Sequence, residues 1–494
     1  MSPVIGKRFW RKPAALWQRL GEPQQREETQ MGVAGAMRHF AARTRLQKIF
    51  ATRFTVALAV ALAVALTIAF CGPAGAEEHE WPQWRGPDRD GVWFEQGLID
   101  RFPAESLTPR WRVNISSGYS GPTVADGRVF VTDRILEPEE SERIHCFDWR
   151  TGGQLWSITY PCSYAGISYT AGPRAAMLVE QNRAYSLGAA GNLYCVAADS
   201  GEVLWKRDLR SEYEIRMPNW GIAAAPLIED DLLIVQIGGK QACILALDKH
   251  SGEPRWQALD DDASYSAPVV IDQGERRVLV CWTGERVVGL APASGELLWQ
   301  YPFKPERWPI AIATPVVHAD LVFCSEAEQG SLLLRTTEQP LGVEKVWHRR
   351  DEDGPALHAL ISTPLIIDRY IYGVDSNGIL RCLDLKNGEQ LWQDDTAVDT
   401  QKWATIHMVQ NGDRVWMFNE HGELLITKLS PQGFDERSRA YLIDPTTDQL
   451  RRREGVTWAH PAYAYRHVFA RNDKELVCVD LSSETTSSAA ASSK

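Results

Sequence analysis

Ten side chains stand out for the chemistry they could do: Tyr119, Tyr169 and Arg174, then Trp220, Tyr265 and His358, then Trp403, His407, Trp458 and His460. Two pairs sit close together, Trp403/His407 in WATIH and Trp458/His460 in WAH. An indole face beside an imidazole can stack a planar ligand and exchange a proton. The plain alternative for each residue is packing. Recognised reaction signatures do not accompany them: H-E-x-x-H, C-x-x-C-H, a C-x-x-C zinc pair and G-x-S-x-G are all absent. Gly238-Gly239-Lys240 lacks the first glycine of a phosphate loop and reads as a hairpin turn. The ten are therefore candidate ligand-binding residues, and no catalytic or metal-binding residue is assigned.

These candidates fall between copies of a repeat. The clearest copies are Leu193 to Trp205 (LYCVAADSGEVLW), Cys243 to Trp256 (CILALDKHSGEPRW), Val287 to Trp299 (VVGLAPASGELLW) and Leu380 to Trp392 (LRCLDLKNGEQLW). The closing tryptophan recurs at Trp111, Trp156, Trp205, Trp256, Trp299, Trp347 and Trp392, a period of roughly 45–50 residues that suits a four-stranded propeller blade. Short β-rich runs alternate with turn chemistry such as Asp126-Gly127 and Thr151-Gly152-Gly153. The pattern predicts an all-β protein: an eight-bladed propeller of four-stranded antiparallel blades. The units open at Pro122, Pro173, Pro226, Pro268, Pro315, Pro364, Val409 and Pro461. Seven blades is the alternative, because the unit after Trp392 is degenerate and residues 432–453 read as an insertion.

The last copy, Glu475 to Leu481, lacks its own Trp strand, while Leu107 to Val113 stands unclaimed before the first. The N-terminal strand carrying Trp111 is thus expected to complete the last blade and leave no open sheet edge. Each repeated Trp is expected to fill the wedge between blades, its N–H reaching a backbone acceptor. Cys146, Cys195, Cys382 and Cys478 occupy the same place in four units, too far apart to pair, so buried free thiols are expected. The candidates lie on segments joining one blade's outer strand to the next blade's inner strand, around one mouth of the channel. The segments 262–268, 282–285 and 416–420 also depart from the repeat; they read as including blade-core aromatics, with a subgroup-specific site as the alternative.

Composition bounds the partners. The chain is 494 residues, 44% hydrophobic and 24% charged, with net charge −11. Residues 1–53 carry 11 Lys/Arg against 3 Asp/Glu, leaving 42 against 61 in the rest. An acidic body argues against nucleic acid as a partner. Residues 54–70 (FTVALAVALAVALTIAF), with a basic flank and Ala74-Gly75-Ala76 behind, read as a secretory address cleaved after Ala76. An uncleaved anchor in the inner membrane is the alternative. The domain reading is a basic extension (1–53), the signal or anchor region (54–76), a lead-in (77–106), the propeller (107–481) and a Ser/Ala/Thr-rich tail expected to be disordered (482–494). Met31 or Met37 would give a more ordinary start, and Phe70 stands where lipidation at Cys71 needs a small residue. A monomer is expected.

The motif L-x-A/C-L-D, two to three residues, T/S-G-E, x-L-W resembles the pyrroloquinoline-quinone-like (PQQ-like) propeller repeat family over residues 111–481. Trp81 to Val92 (WPQWRGPDRDGV) resembles the opening of an exported bacterial subgroup. The resemblance implies an eight-bladed propeller and two branches of function. Quinoprotein alcohol dehydrogenases clamp PQQ against a vicinal disulfide with Ca²⁺ held by carboxylates, yet this chain has no adjacent Cys pair. The BamB-like branch uses the propeller as a protein-binding scaffold. The leading expectation is a non-catalytic exported propeller binding a protein or small molecule at its mouth. A PQQ-dependent dehydrogenase with Ca²⁺, and a carbohydrate- or polymer-binding propeller, are the alternatives.

Overall fold

The computed structural model describes residues 79–307, 310–451 and 454–483. The address at 54–76, the alternative starts, Cys71 and nearly all of the tail lie outside the described residues. No helix among the described residues is long and apolar enough to cross a membrane.

Eight four-stranded antiparallel sheets follow one another around the chain at 123–161, 178–208, 227–258, 269–302, 316–349, 365–394, 406–441 and 462–480. They are blades 1 to 8 of an eight-bladed propeller, which settles the count against seven. Strand order within each blade is sequential except in the last, where Trp111–Asn114 pairs with Glu475–Asp480. The expected closure by the N-terminal strand is therefore present, with Trp111 opposite Cys478 and Asn114 opposite Glu475. Two expectations need correction. The second blade does not open at Pro173: its inner strand begins at Leu178, and the Pro173 carbonyl accepts from the N–H groups of Tyr119 and Ser120. Residues 432–453 are not an insertion as a whole, because Gly433–Tyr441 is the regular outer strand of blade 7.

The repeated letters have mechanical roles. In blade 1 the Asp148 carboxylate accepts from the N–H of Arg150 and Thr151 and from the Thr151 hydroxyl, folding the hairpin that Gly152 completes at φ +70°. Asp248 does the same with His250 and Ser251. The glycine then presents a bare backbone to the preceding blade's tryptophan: a Cβ on Gly252 would come within 2.7 Å of Trp205. The Trp205 N–H donates to the Lys249 carbonyl at 3.1 Å, and Trp156 and Trp347 reach Ala198 and Leu385 in the same manner. Trp299 departs from the rule. Its N–H goes to the side chain of Gln273, which in turn donates to Thr337 and Gly342 of the next blade, whose third hairpin has a different sequence.

The residue opposite each such Trp is small in most blades, including Cys146, Cys195, Ala246, Gly289 and Cys382. All eight described cysteines are free thiols, and all but Cys162 are buried. Burial raises their pKa, to about 12 at Cys146. Dithiothreitol is accordingly expected to leave the melting temperature unchanged, and a shift of several degrees would contradict the free-thiol assignment.

The lead-in is woven into the propeller. Trp81 exchanges backbone hydrogen bonds with Val124, the Pro82 carbonyl accepts from Val179, and Trp93 and Gly91 bracket Gln410. These contacts lie near the first hairpin of blades 1, 2 and 7, so the segment crosses the end of the channel opposite the blade-to-blade connections. Arg89 reaches the carbonyls of Ala225 and Pro226 at the entry to blade 3.

Candidate functional site

The blade-to-blade connections surround a cavity of about 950 Å³ on the other face. Its floor is Trp84 of the lead-in, whose indole N–H donates to Thr314 Oγ1 at 2.7 Å and whose ring meets His460 edge-on at 4.6 Å. Tyr119, Tyr169, Arg174, Trp220, Tyr265, Trp403, His407, Trp458 and His460 all line this cup. His358 does not. It tethers the connection between blades 5 and 6 by hydrogen bonds to Asp351 and the Ala327 carbonyl, so the expectation that it lines the site is corrected.

Tyr169 stands among three tryptophans. Its ring lies edge-on to Trp220 at 6.1 Å and Trp403 at 6.2 Å, and is roughly parallel to Trp458 at 6.5 Å. Trp220 packs on Tyr265 at 5.1 Å, and its backbone N–H donates to the Tyr265 hydroxyl. Tyr169 and Trp403 both have left-handed backbones, at φ +55° and +68°. A bulky residue held there costs on the order of 1–3 kcal/mol and persists only where its surroundings impose it. Arg174 supplies one such constraint: its guanidinium donates to the carbonyls of Ser168, Tyr169 and Gly172 and lies over the Tyr119 ring. It shapes the loop that presents Tyr169.

A second anchor is Gln449, buried under the connection between blades 7 and 8. It donates to the Gly118 carbonyl and accepts from the Trp458 N–H, while Trp458 Nε1 donates to Glu420 and the Trp458 carbonyl bonds His407 Nε2. Burial pushes His407 down to about 4, and burial with the neighbouring His407 pushes His460 to about 3. Both imidazoles are thus neutral at pH 7. Their positions suit hydrogen bonding and packing and place them far from the range for proton exchange near neutrality.

The mouth differs in charge from the body. Arg174, Arg307, Lys402 and Arg451 line it against Glu328 and Asp448. Among the described residues Arg307, Lys402 and Arg451 form no ion pair, and Lys402 lies over the Trp403 ring at 5.1 Å. Both carboxylates are engaged, Glu328 by the Arg307 backbone N–H at 2.9 Å and Asp448 by the Ser117 hydroxyl at 2.6 Å. No three His, Cys, Asp or Glu side chains converge among the described residues as a metal site would require. With no adjacent thiols and no free carboxylate cluster in the cup, these residues do not fit the quinone-and-calcium arrangement of the dehydrogenase branch.

Sequence reasoning missed Trp84, Gln449 and the three rim cations. Arg307, Lys402 and Arg451 carried a usable signal, being basic residues in connecting segments of an acidic chain. Trp84 carried none, since its position depends on where the lead-in crosses the channel.

A sequence family described as outer membrane protein assembly factor BamB matches residues 140–394. The chain is 24% identical over 249 residues to outer membrane protein assembly factor BamB of Yersinia pestis, covering 47% of this chain and 60% of that protein. The Salmonella typhimurium protein of the same name is 23% identical over 255 residues, covering 49% and 60%. The chain thus spans about 60% of the length of these curated relatives. The crystal structure of BamB from Moraxella catarrhalis superposes with a TM-score of 0.53 at 16% identity, covering 76% of this chain and 97% of that one, a likeness of fold.

Proposed function

The chain belongs to the outer membrane protein assembly factor BamB family, and from that membership we propose that it is a non-catalytic scaffold of the cell envelope that holds a protein partner in its aromatic cup. The observation that carries this reading is the cluster of Tyr169, Trp220, Trp403 and Trp458 lining one cavity with Trp84. Rigid aromatics offer large contact area at little entropic cost and dominate protein interfaces as anchors. The rim cations, which form no ion pair among the described residues, on an acidic body favour a partner segment bearing Asp or Glu. The secretory address at residues 54–76 supports export.

In-cell photo-crosslinking tests this. A crosslinker at Lys402 is expected to capture one protein that a crosslinker at Leu391, on an outer strand, does not. The double substitution Trp403→Ala, Trp458→Ala should weaken that capture by at least about 30-fold, since even one such anchor is worth about 2 kcal/mol or more, while the melting curve stays cooperative. Equal capture from both positions, or capture indifferent to the double substitution, would sink the proposal. Turnover of alcohols by the purified protein with added PQQ and Ca²⁺ would move it to the dehydrogenase reading.

A further inference from the structure

Beneath the cup lies a second, much smaller cavity of about 30 Å³. Trp84, His407 and His460 line both spaces and form the partition between them. The volume suffices for one or two particles of water size. Its polar lining is one-sided. Arg85 enters from the lead-in, only 8% exposed, with its Nε and one terminal nitrogen donating to the carbonyls of Arg89 and Asp90. It forms no ion pair among the described residues and no carboxylate lines the chamber, although Asp90 nearby attracts the guanidinium and offsets part of its burial. Gly91 lies against the guanidinium: a Cβ there would come within 2.7 Å of a terminal nitrogen, so the group is held closely in place.

Two further donors lack acceptors. Trp81, 2% exposed, lines the chamber, and its indole N–H has no hydrogen-bond partner among the described residues. Arg89, next to Arg85 in space and also buried, leaves its Nε unsatisfied. His460 accepts from the Gly121 N–H and is neutral, so it adds no negative charge. A guanidinium stays protonated at neutral pH even when burial lowers it to about 10. Burial outweighs the attraction of Asp90, so the charge is incompletely compensated, and such a charge is costly unless a further counterion completes its surroundings.

We propose that this chamber is a binding site for a small monovalent anion of chloride size, which neutralises the Arg85 guanidinium and accepts from the Trp81 indole N–H. The anion completes the seat of the lead-in beneath the cup. Met408 and Val409 supply an apolar wall, which suits a weakly hydrated halide. The inference is independent of what the cup binds.

Thermal unfolding of the full chain in sodium chloride, bromide and gluconate at equal ionic strength tests it, together with bromide-soaked crystals. The expected result is a saturating rise in Tm of about 2–4 °C with either halide and none with gluconate. Arg85→Met should abolish the response, and bromide should give an anomalous peak in the chamber between Arg85 and Trp81. Should Arg85→Met fail to fold, the peak in the unaltered protein decides. Equal response to gluconate, a halide response that survives Arg85→Met, or a soaked crystal without the peak would each overturn the proposal and leave the chamber to water.

Discussion

Deleting residues 79–114 is expected to leave a chain that neither melts cooperatively nor resists protease. That stretch supplies the outer strand of blade 8, so its loss opens the edge of Glu475–Asp480 where four residues now pair. It also removes three buried tryptophans. Trp81 and Trp93 pack against Tyr463, and Trp93 also against Trp416, while Trp111 packs on Phe469 and bonds the Trp149 carbonyl of blade 1. Asn411 is left without the Trp93 and Glu95 carbonyls to which its amide donates. Each Trp truncated to Ala costs about 3–5 kcal/mol, so the three together match a typical net stability of about 5–15 kcal/mol. Circular dichroism melting and limited proteolysis would show it. Cooperative melting near the parent temperature would mean that blades 1 to 7 are self-sufficient, contrary to the closure argument. Trp111→Phe, which keeps an aromatic ring, though a smaller one, and loses the N–H, should cost far less and melt cooperatively.

The expectations that held are those written in residues that recur. A tryptophan every 45–50 residues, a small residue opposite it and an Asp-to-Gly hairpin behind it each solve a local problem, and each blade poses that problem again. Irregular places were harder to read. Pro173 looks like the other unit-opening prolines, but it sits in the loop that Arg174 clamps, and no local signal separates it from Pro226. His358 shares a connection with cup residues but turns to Asp351, a choice made by side-chain geometry within the loop. Most of the aromatic set could be found because those residues lie where the repeat breaks, and in a propeller the breaks that join blades gather at one mouth. The floor of the cup could not, because Trp84 reaches it from more than 200 residues away in sequence from its partner Thr314.

The same partition residues predict a steep acid limb. His407 and His460 have pKa values near 4 and 3 in the fold, against about 6.5 in an unfolded chain. Burial lowers both, with Arg85 adding to the effect at His407 and His407 adding to it at His460. Between those values the unfolded state takes up protons that the fold refuses, so their stabilising contribution is complete above about pH 6.5 and is lost as pH falls. Two such groups give on the order of 5 kcal/mol between pH 6.5 and 4. Glu326 works in the opposite sense. Burial raises it to about 7 despite hydrogen bonds from the Glu328 and Gln329 N–H groups, so its contribution is full below about pH 4.5 and lost as pH rises through 7. It is worth at most about 3 kcal/mol. Urea unfolding from pH 4 to 8 should therefore show stability falling towards acid. His407→Gln with His460→Gln should flatten that limb, because the amides keep the Trp458 and Gly121 hydrogen bonds without taking up a proton. Glu326→Gln should instead steepen the net fall between pH 7 and 4.5, by removing one of the terms that oppose it; Asp90, Glu95 and Glu142, also raised by burial, remain. An acid limb unchanged in the double variant would mean that other carboxylates and His467, also lowered by burial, govern acid unfolding and that the partition does not.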